Sequence, residues 1–145
     1  MEIIKILEEN GIEKGNKSSH IEAALLSYRN SIAKEIINHI KEKNETKQLN
    51  ENEEMINQIF KKGLIASIKS SNIKGVEMLF NIDPKISIQK IEDNMERNEE
   101  TFLYHAVKHK SREIVQMLLS KGANINKKTI IVHKILIIFY IIKKI

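Results

Sequence analysis

Two sets of apolar residues recur along this chain at near-constant spacing. One set is Val115, Val76, Ile37 and Ile4, separated by 39, 39 and 33 residues. The other is Leu103 with Leu64 and Leu25, at steps of 39, and with Leu136, 33 residues on. A fixed period in this range marks a repeat architecture. A third series runs in register with both: Gly122, Asp83, Asn44 and Gly11. These residue types enter the left-handed conformation cheaply and suit the turn that closes a helix. Pro84 follows Asp83 where a helix could not continue. A single unit of this size cannot bury its apolar face alone, so neighbouring units must stack.

Within each period the apolar residues fall at helical spacing. Helices are expected at about 20–30, 33–43, 62–71, 73–81, 101–109, 111–120 and 134–142. Glu35, Ile36, Ile37 and Ile40 carry the second helix of one pair, and Val76, Met78, Leu79 and Phe80 that of the next. Residues 2–11 read as a second helix and its closing glycine with no first helix before them. Their apolar residues are Ile3, Ile4 and Leu7. The longer periods are explained by two polar, acidic insertions, at 47–54 and 92–100. They belong to the connections between pairs, and neither contains glycine or proline, so each can add a turn to the helix that follows.

The clearest period spans 100–128. Thr101-Phe102-Leu103-Tyr104-His105-Ala106, then Glu113-Ile114-Val115-Gln116-Met117-Leu118-Leu119, then Gly122-Ala123-Asn124-Ile125-Asn126 together resemble one ankyrin repeat. The resemblance implies an all-α fold, an ankyrin-like solenoid of stacked antiparallel helix pairs with hairpin-type loops. The expected organisation is a single domain over 1–145, with a half-repeat at 1–19, repeats at 20–61, 62–100 and 101–133, and a degenerate half-repeat at 134–145. The family's small residue at the Ala106 position is Ser67 in the preceding repeat. The same alignment puts Tyr28 and Phe139 there in the outer units, which implies looser packing.

The resemblance further implies a protein-binding groove built by the first helices and loops. Carried over by position, its candidate contact residues are Ser27 and Asn30, then Ala66, Lys69 and Ser70, then His105, Lys108 and His109. Lys127 and Lys128 are loop-tip candidates. His105 and His109 are read as facing the surface rather than a metal.

Charge refines the expected partner. Residues 104–145 carry nine Lys or Arg and a single acid, Glu113, whereas residues 1–60 carry eight bases and eleven acids. The basic third suits an acidic protein patch or an anionic lipid surface. The first is the reading adopted, as a scaffold or interaction module. Peripheral membrane association through the basic, apolar C-terminal third is the alternative. Seven aromatic residues and no Trp supply few stacking platforms, so no nucleic acid is expected. No phosphate loop, nucleophile elbow or zinc signature occurs, and neither enzymatic activity nor a cofactor is expected. The chain has no cysteine, which fits an intracellular, cytoplasmic setting. Glu2 and Lys5 break the first apolar run, so the N-terminus does not read as a signal peptide. The unbroken apolar run Ile135–Ile142 is too short to span a bilayer. It leaves apolar side chains with no neighbour, and self-association is expected to follow.

Overall fold

A computed structural model describes residues 5, 17–44, 49–96, 98–127 and 131–144. Eight helices of six residues or more are described, and no strand occurs among the described residues. The chain divides into two compact units, Met1–Asp83 and Pro84–Ile145.

The first unit holds two helical hairpins. Helix α1 (Lys17–Leu26) turns into α2 (Asn30–Asn44), and α3 (Leu49–Lys69) turns into α4 (Ile73–Ile82). First helix packs on first helix and second on second: α1 against α3, α2 against α4. Their apolar stripes close a core of Ile21, Leu25, Ile36, Ile37, Leu64, Ile68, Val76 and Leu79, all buried. Phe60 meets Phe80 edge-on at 5.5 Å between ring centroids. Lys41 of α2 donates to the carbonyl of Ile82, 3.1 Å away, and so satisfies a terminal acceptor of α4.

The second unit begins with the six-residue helix α5 (Ile88–Asp93), whose N-terminus is capped by the Ser87 hydroxyl. The hairpin of α6 (Phe102–Lys108) and α7 (Arg112–Ser120) follows. Then α8 (Ile131–Lys144) packs against α6. Phe102, Leu103, Ala106, Ile114, Val115 and Leu118 are buried, as is Ile137 of α8.

The turn inside each hairpin reveals the true register. Tyr28, Ser71 and Lys110 all hold positive φ, at 60°, 53° and 55°. In each case the next residue's amide donates five positions back: Arg29 to Ala24, Asn72 to Ser67 and Ser111 to Ala106, at 2.8, 2.8 and 3.0 Å. This is one closing motif used three times. The equivalent small residues are therefore Ala24, Ser67 and Ala106, and the periods are 43 and 39. The alignment that put Tyr28 in the tight position is corrected by four residues. Ile21, not Leu25, matches Leu64 and Leu103, and Ala33, not Ile37, matches Val76 and Val115. Four residues is close to one helical turn, so the slip left apolar residues facing apolar residues and went unseen. Leu136 is half exposed and Ile137 is buried in its place, a shift of one residue at the other end.

Helix closure also departs from expectation. Gly122 has φ +87° and hands over to Ala123, whose amide donates to Leu118, as expected. Asp83 instead lies at φ −143°, ψ 104°, because the ring of Pro84 drives the preceding residue to extended backbone. Asn44 remains helical as the last residue of α2. Gly11 lies outside the described residues.

The two insertions take different forms. Residues 49–54 extend the first helix of their hairpin, which spans 21 residues rather than starting near 62. Lys69 in its last turn complements the helix dipole. The second insertion instead splits off α5 and a bend.

Candidate interaction face on the first helices

The first helices expose a stripe set by the corrected register. On α3 it comprises Gln58, Lys62, Ile65 and Lys69, spaced by helical turns, with Ile65 half-buried. The matching positions of α1 are Ser19, Glu22 and Leu26, and those of α6 are Tyr104 and Lys108. The ends of α1 and α3 abut. The Tyr28 hydroxyl donates to the Ser70 carbonyl, and the Ser70 hydroxyl lies 3.4 Å from the carbonyl of Leu25. Leu26 is 48% exposed and Tyr28 61% exposed. These are the two exposed large apolar side chains among the described residues of this unit. Neither was a candidate from sequence. The four-residue slip hid Tyr28 by placing it in the small position, and Leu26 carried no reading from sequence.

The candidates derived from the family pattern scatter when placed in the structure. Ser27 sits in the α1–α2 turn, exposed, with its hydroxyl 2.7 Å from the Ala23 carbonyl. Asn30 opens α2 rather than continuing α1. Its side-chain amide pairs with that of Asn72, at 2.6 and 3.1 Å, so it joins the hairpins rather than facing a groove. Ala66 is buried and contributes packing, not an open contact. Ser70 links α3 to α1. Lys69 is exposed, as expected.

In the second unit Lys108 and His109 are exposed. His105 is buried, not surface-facing. Its Nδ1 lies 3.5 Å from Glu100, whose other oxygen lies 3.6 Å from Lys108. The Lys108 ammonium stands 5.7 Å from the centroid of the Tyr104 ring. Lys127 is not a free loop tip: its Nζ lies 2.6 Å from Asp93, and its side chain is only 19% exposed. Lys128 lies outside the described residues. Among the described residues no cluster of His, Cys, Asp or Glu could hold a metal ion.

A buried carboxylate organises the second unit. Glu92, the fifth residue of the short helix α5, is 1% exposed, and its Oε1 accepts from the Phe102 amide at 3.0 Å. Thr101 caps the same N-terminus through the Tyr104 amide. Loss of water around Glu92 raises its pKa above the ordinary 4.5. The Phe102 hydrogen bond and the nearby Lys127 partly offset this. A carboxyl whose folded pKa is raised favours folding below its unfolded pKa. It loses that contribution as pH climbs through the folded value. The variant Glu92→Gln retains an acceptor for Phe102 without the charge. Its melting temperature relative to wild type is expected to improve steadily as pH rises above 4.5. Glu92→Ala, which orphans the Phe102 amide, should cost about 1–3 kcal/mol. A wild type and Gln variant that run parallel across pH would show Glu92 to be solvated.

On the second-helix side of the first unit lies an open groove of about 520 Å³. It is lined by Lys34 and Asn38 of α2 and by Lys74, Glu77, Met78, Asn81 and Ile82 of α4. Its charges are mixed, and no set of polar groups converges in it. No helix among the described residues is long and apolar enough to cross a membrane.

Comparison with curated proteins and with solved structures gives no match. The family model for ankyrin repeats, in three copies, matches residues 20–129. That stretch covers all three helical hairpins with their repeated closing turn, and the chain belongs to the ankyrin repeat family.

Proposed function

We propose that the chain binds a protein partner through its first helices, with the Leu26–Tyr28 patch as the main anchor in the first unit. Ankyrin repeats are in general protein–protein interaction modules and typically not enzymes. The observation that carries the proposal is the exposure of Leu26 and Tyr28 at the end of α1, where α3 presents Ile65 between Lys62 and Lys69. A patch with an apolar centre and a cationic rim suits a partner segment with an apolar anchor flanked by acids. Tyr104 and Lys108 repeat the Ile65 and Lys69 positions in the second unit, so the same chemistry recurs there. Large side chains held at low entropic cost are the ones that carry binding energy at such centres.

A photo-crosslinking residue placed in cells at Leu26 or at Lys69 is expected to trap the same protein. The residue placed at Glu77, on the second-helix side, is expected to trap none. Lys69→Glu should slow association with that protein and reduce its salt dependence. Trapping confined to Glu77 would reject the first-helix assignment.

A further inference from the structure

Three helix starts among the described residues are closed by their own side chains. Asn72 accepts from the Gly75 amide at the start of α4, Ser87 from Lys90 at α5 and Thr101 from Tyr104 at α6. Ser111 holds the same place on α7, yet its hydroxyl makes no bond to a helix amide. It bonds to no other group among the described residues either. Ser111 is nine-tenths buried, at 9% exposure. The hydroxyl of Ser67 is sealed from water and unpaired, whereas that of Ser111 reaches the surface where α7 begins. A hydroxyl so nearly buried is costly to leave unpaired, and the solvent side is the one from which a partner can come.

The surroundings select the charge of that partner. The first amides of a helix have no acceptor within it, and the helix dipole adds positive charge at the same end. Lys110 and Arg112 flank Ser111, and His109 precedes it by two residues. All three are exposed, and none forms an ion pair among the described residues. Lys108, the fourth base of this run, lies 3.6 Å from Glu100. The acid in the first turn of α7 is Glu113. A carboxylate from outside would meet that like charge with two acceptor oxygens to offer. A phosphate group brings about two negative charges and three strong acceptor oxygens. That is enough to outweigh Glu113 and to accept from a hydroxyl, a helix-end amide and a cation together.

We infer that the start of α7 is a binding site for a phosphate group. Ser111 donates its hydroxyl, Arg112 and Glu113 donate their amides, and Lys110 and Arg112 supply the charge. The site belongs to the closing turn of the hairpin, so it stands apart from the first-helix face and does not depend on it. The matching turn before α4 cannot act in this way. Asn72 is 2% exposed there, with its oxygen bonded to Gly75 and its nitrogen to Leu25 and Asn30.

The test is a titration of the full chain with inorganic phosphate at fixed ionic strength, followed through amide resonances. Those of Arg112 and Glu113 are expected to shift and saturate, and those of Lys74 and Gly75 at the start of α4 to stay in place. Ser111→Ala should weaken binding about tenfold. Its melting temperature should match wild type, because the hydroxyl has no bond to lose. Arg112→Gln, at an exposed position, should also weaken binding and lower its salt dependence. Glu113→Gln should tighten it. A second titration, with the amide of N-acetyl phosphoserine, decides the source of the phosphate. Binding as tight as that of inorganic phosphate assigns the site to a phosphorylated residue of a partner, and much weaker binding assigns it to free phosphate. The inference is overturned if the shifts grow without saturating or if α4 responds alike. It is equally overturned if folded Ser111→Ala and Arg112→Gln bind phosphate as wild type does.

Discussion

Leu103→Ala is expected to lower the stability of the second unit by about 2–5 kcal/mol, the range for a large aliphatic side chain removed from a packed core. Leu103 is 1% exposed on α6, which packs with α7 on one side and α8 on another. A cavity there is enclosed from two directions, which limits how far the surroundings can close in. The matched control is Leu136→Ala, on the half-exposed side of α8, where the loss should be small in the monomer. Thermal melts of the two variants at equal concentration check the contrast. A Leu103→Ala protein that melts with wild type would place this residue outside the core.

Gly75→Ala should destabilise the first unit although alanine is the better helix former. Propensity alone favours alanine by about 1 kcal/mol. Against this, a Cβ on Gly75 would lie 2.7 Å from Asn72 Nδ2, 2.8 Å from Asn72 Cγ and 2.9 Å from the Ser67 hydroxyl. Asn72 cannot give way without loss. It is 2% exposed, its oxygen caps α4 through the Gly75 amide, and its nitrogen donates to the Leu25 carbonyl at 2.9 Å and to Asn30. Overpacking of this kind costs about 1–3 kcal/mol, enough to reverse the sign. The double variant Asn72→Ala, Gly75→Ala should lose less than the two single losses combined, because the clash partner is already gone. Additive losses would show that the asparagine is not what the methyl group meets.

The parts of the fold that were legible in the sequence share one cause. Between residues 62 and 128 the apolar positions, the small residues Ser67 and Ala106 and the closing Gly122 each point to the same register, so one slip would have broken several agreements at once. At the first hairpin only apolar matches were available, and a helix forgives a four-residue slip in those. The misfit of Tyr28 was the warning. A ring in the small position marks the wrong register rather than loose packing. The long helix α3 followed from a stretch without glycine or proline, but where it began was not marked by any capping residue. Glu92 was invisible as a buried group because acidic runs ordinarily face water. Only the fold brings the Phe102 amide to it. Candidate contact residues inherited the register error in the first hairpin. In the others they erred where a position that faces outward in general, such as that of Ala66 and His105, is turned inward by its neighbours.

The turns of the first unit carry a consequence for how it comes apart. Tyr28 and Ser71 sit in left-handed backbone, a strain of about 1–3 kcal/mol each for residues other than glycine. Neither turn is secured by its own hairpin alone. The Tyr28 hydroxyl rests on the Ser70 carbonyl of the next hairpin, and Asn72 of that hairpin reaches back to Leu25 and Asn30. If either hairpin peels away, the other keeps its strain and loses its tether. The two hairpins therefore open as one cooperative body, and slow amide exchange in α1 and in α3 should report a shared opening free energy instead of a gradient that fades toward one end.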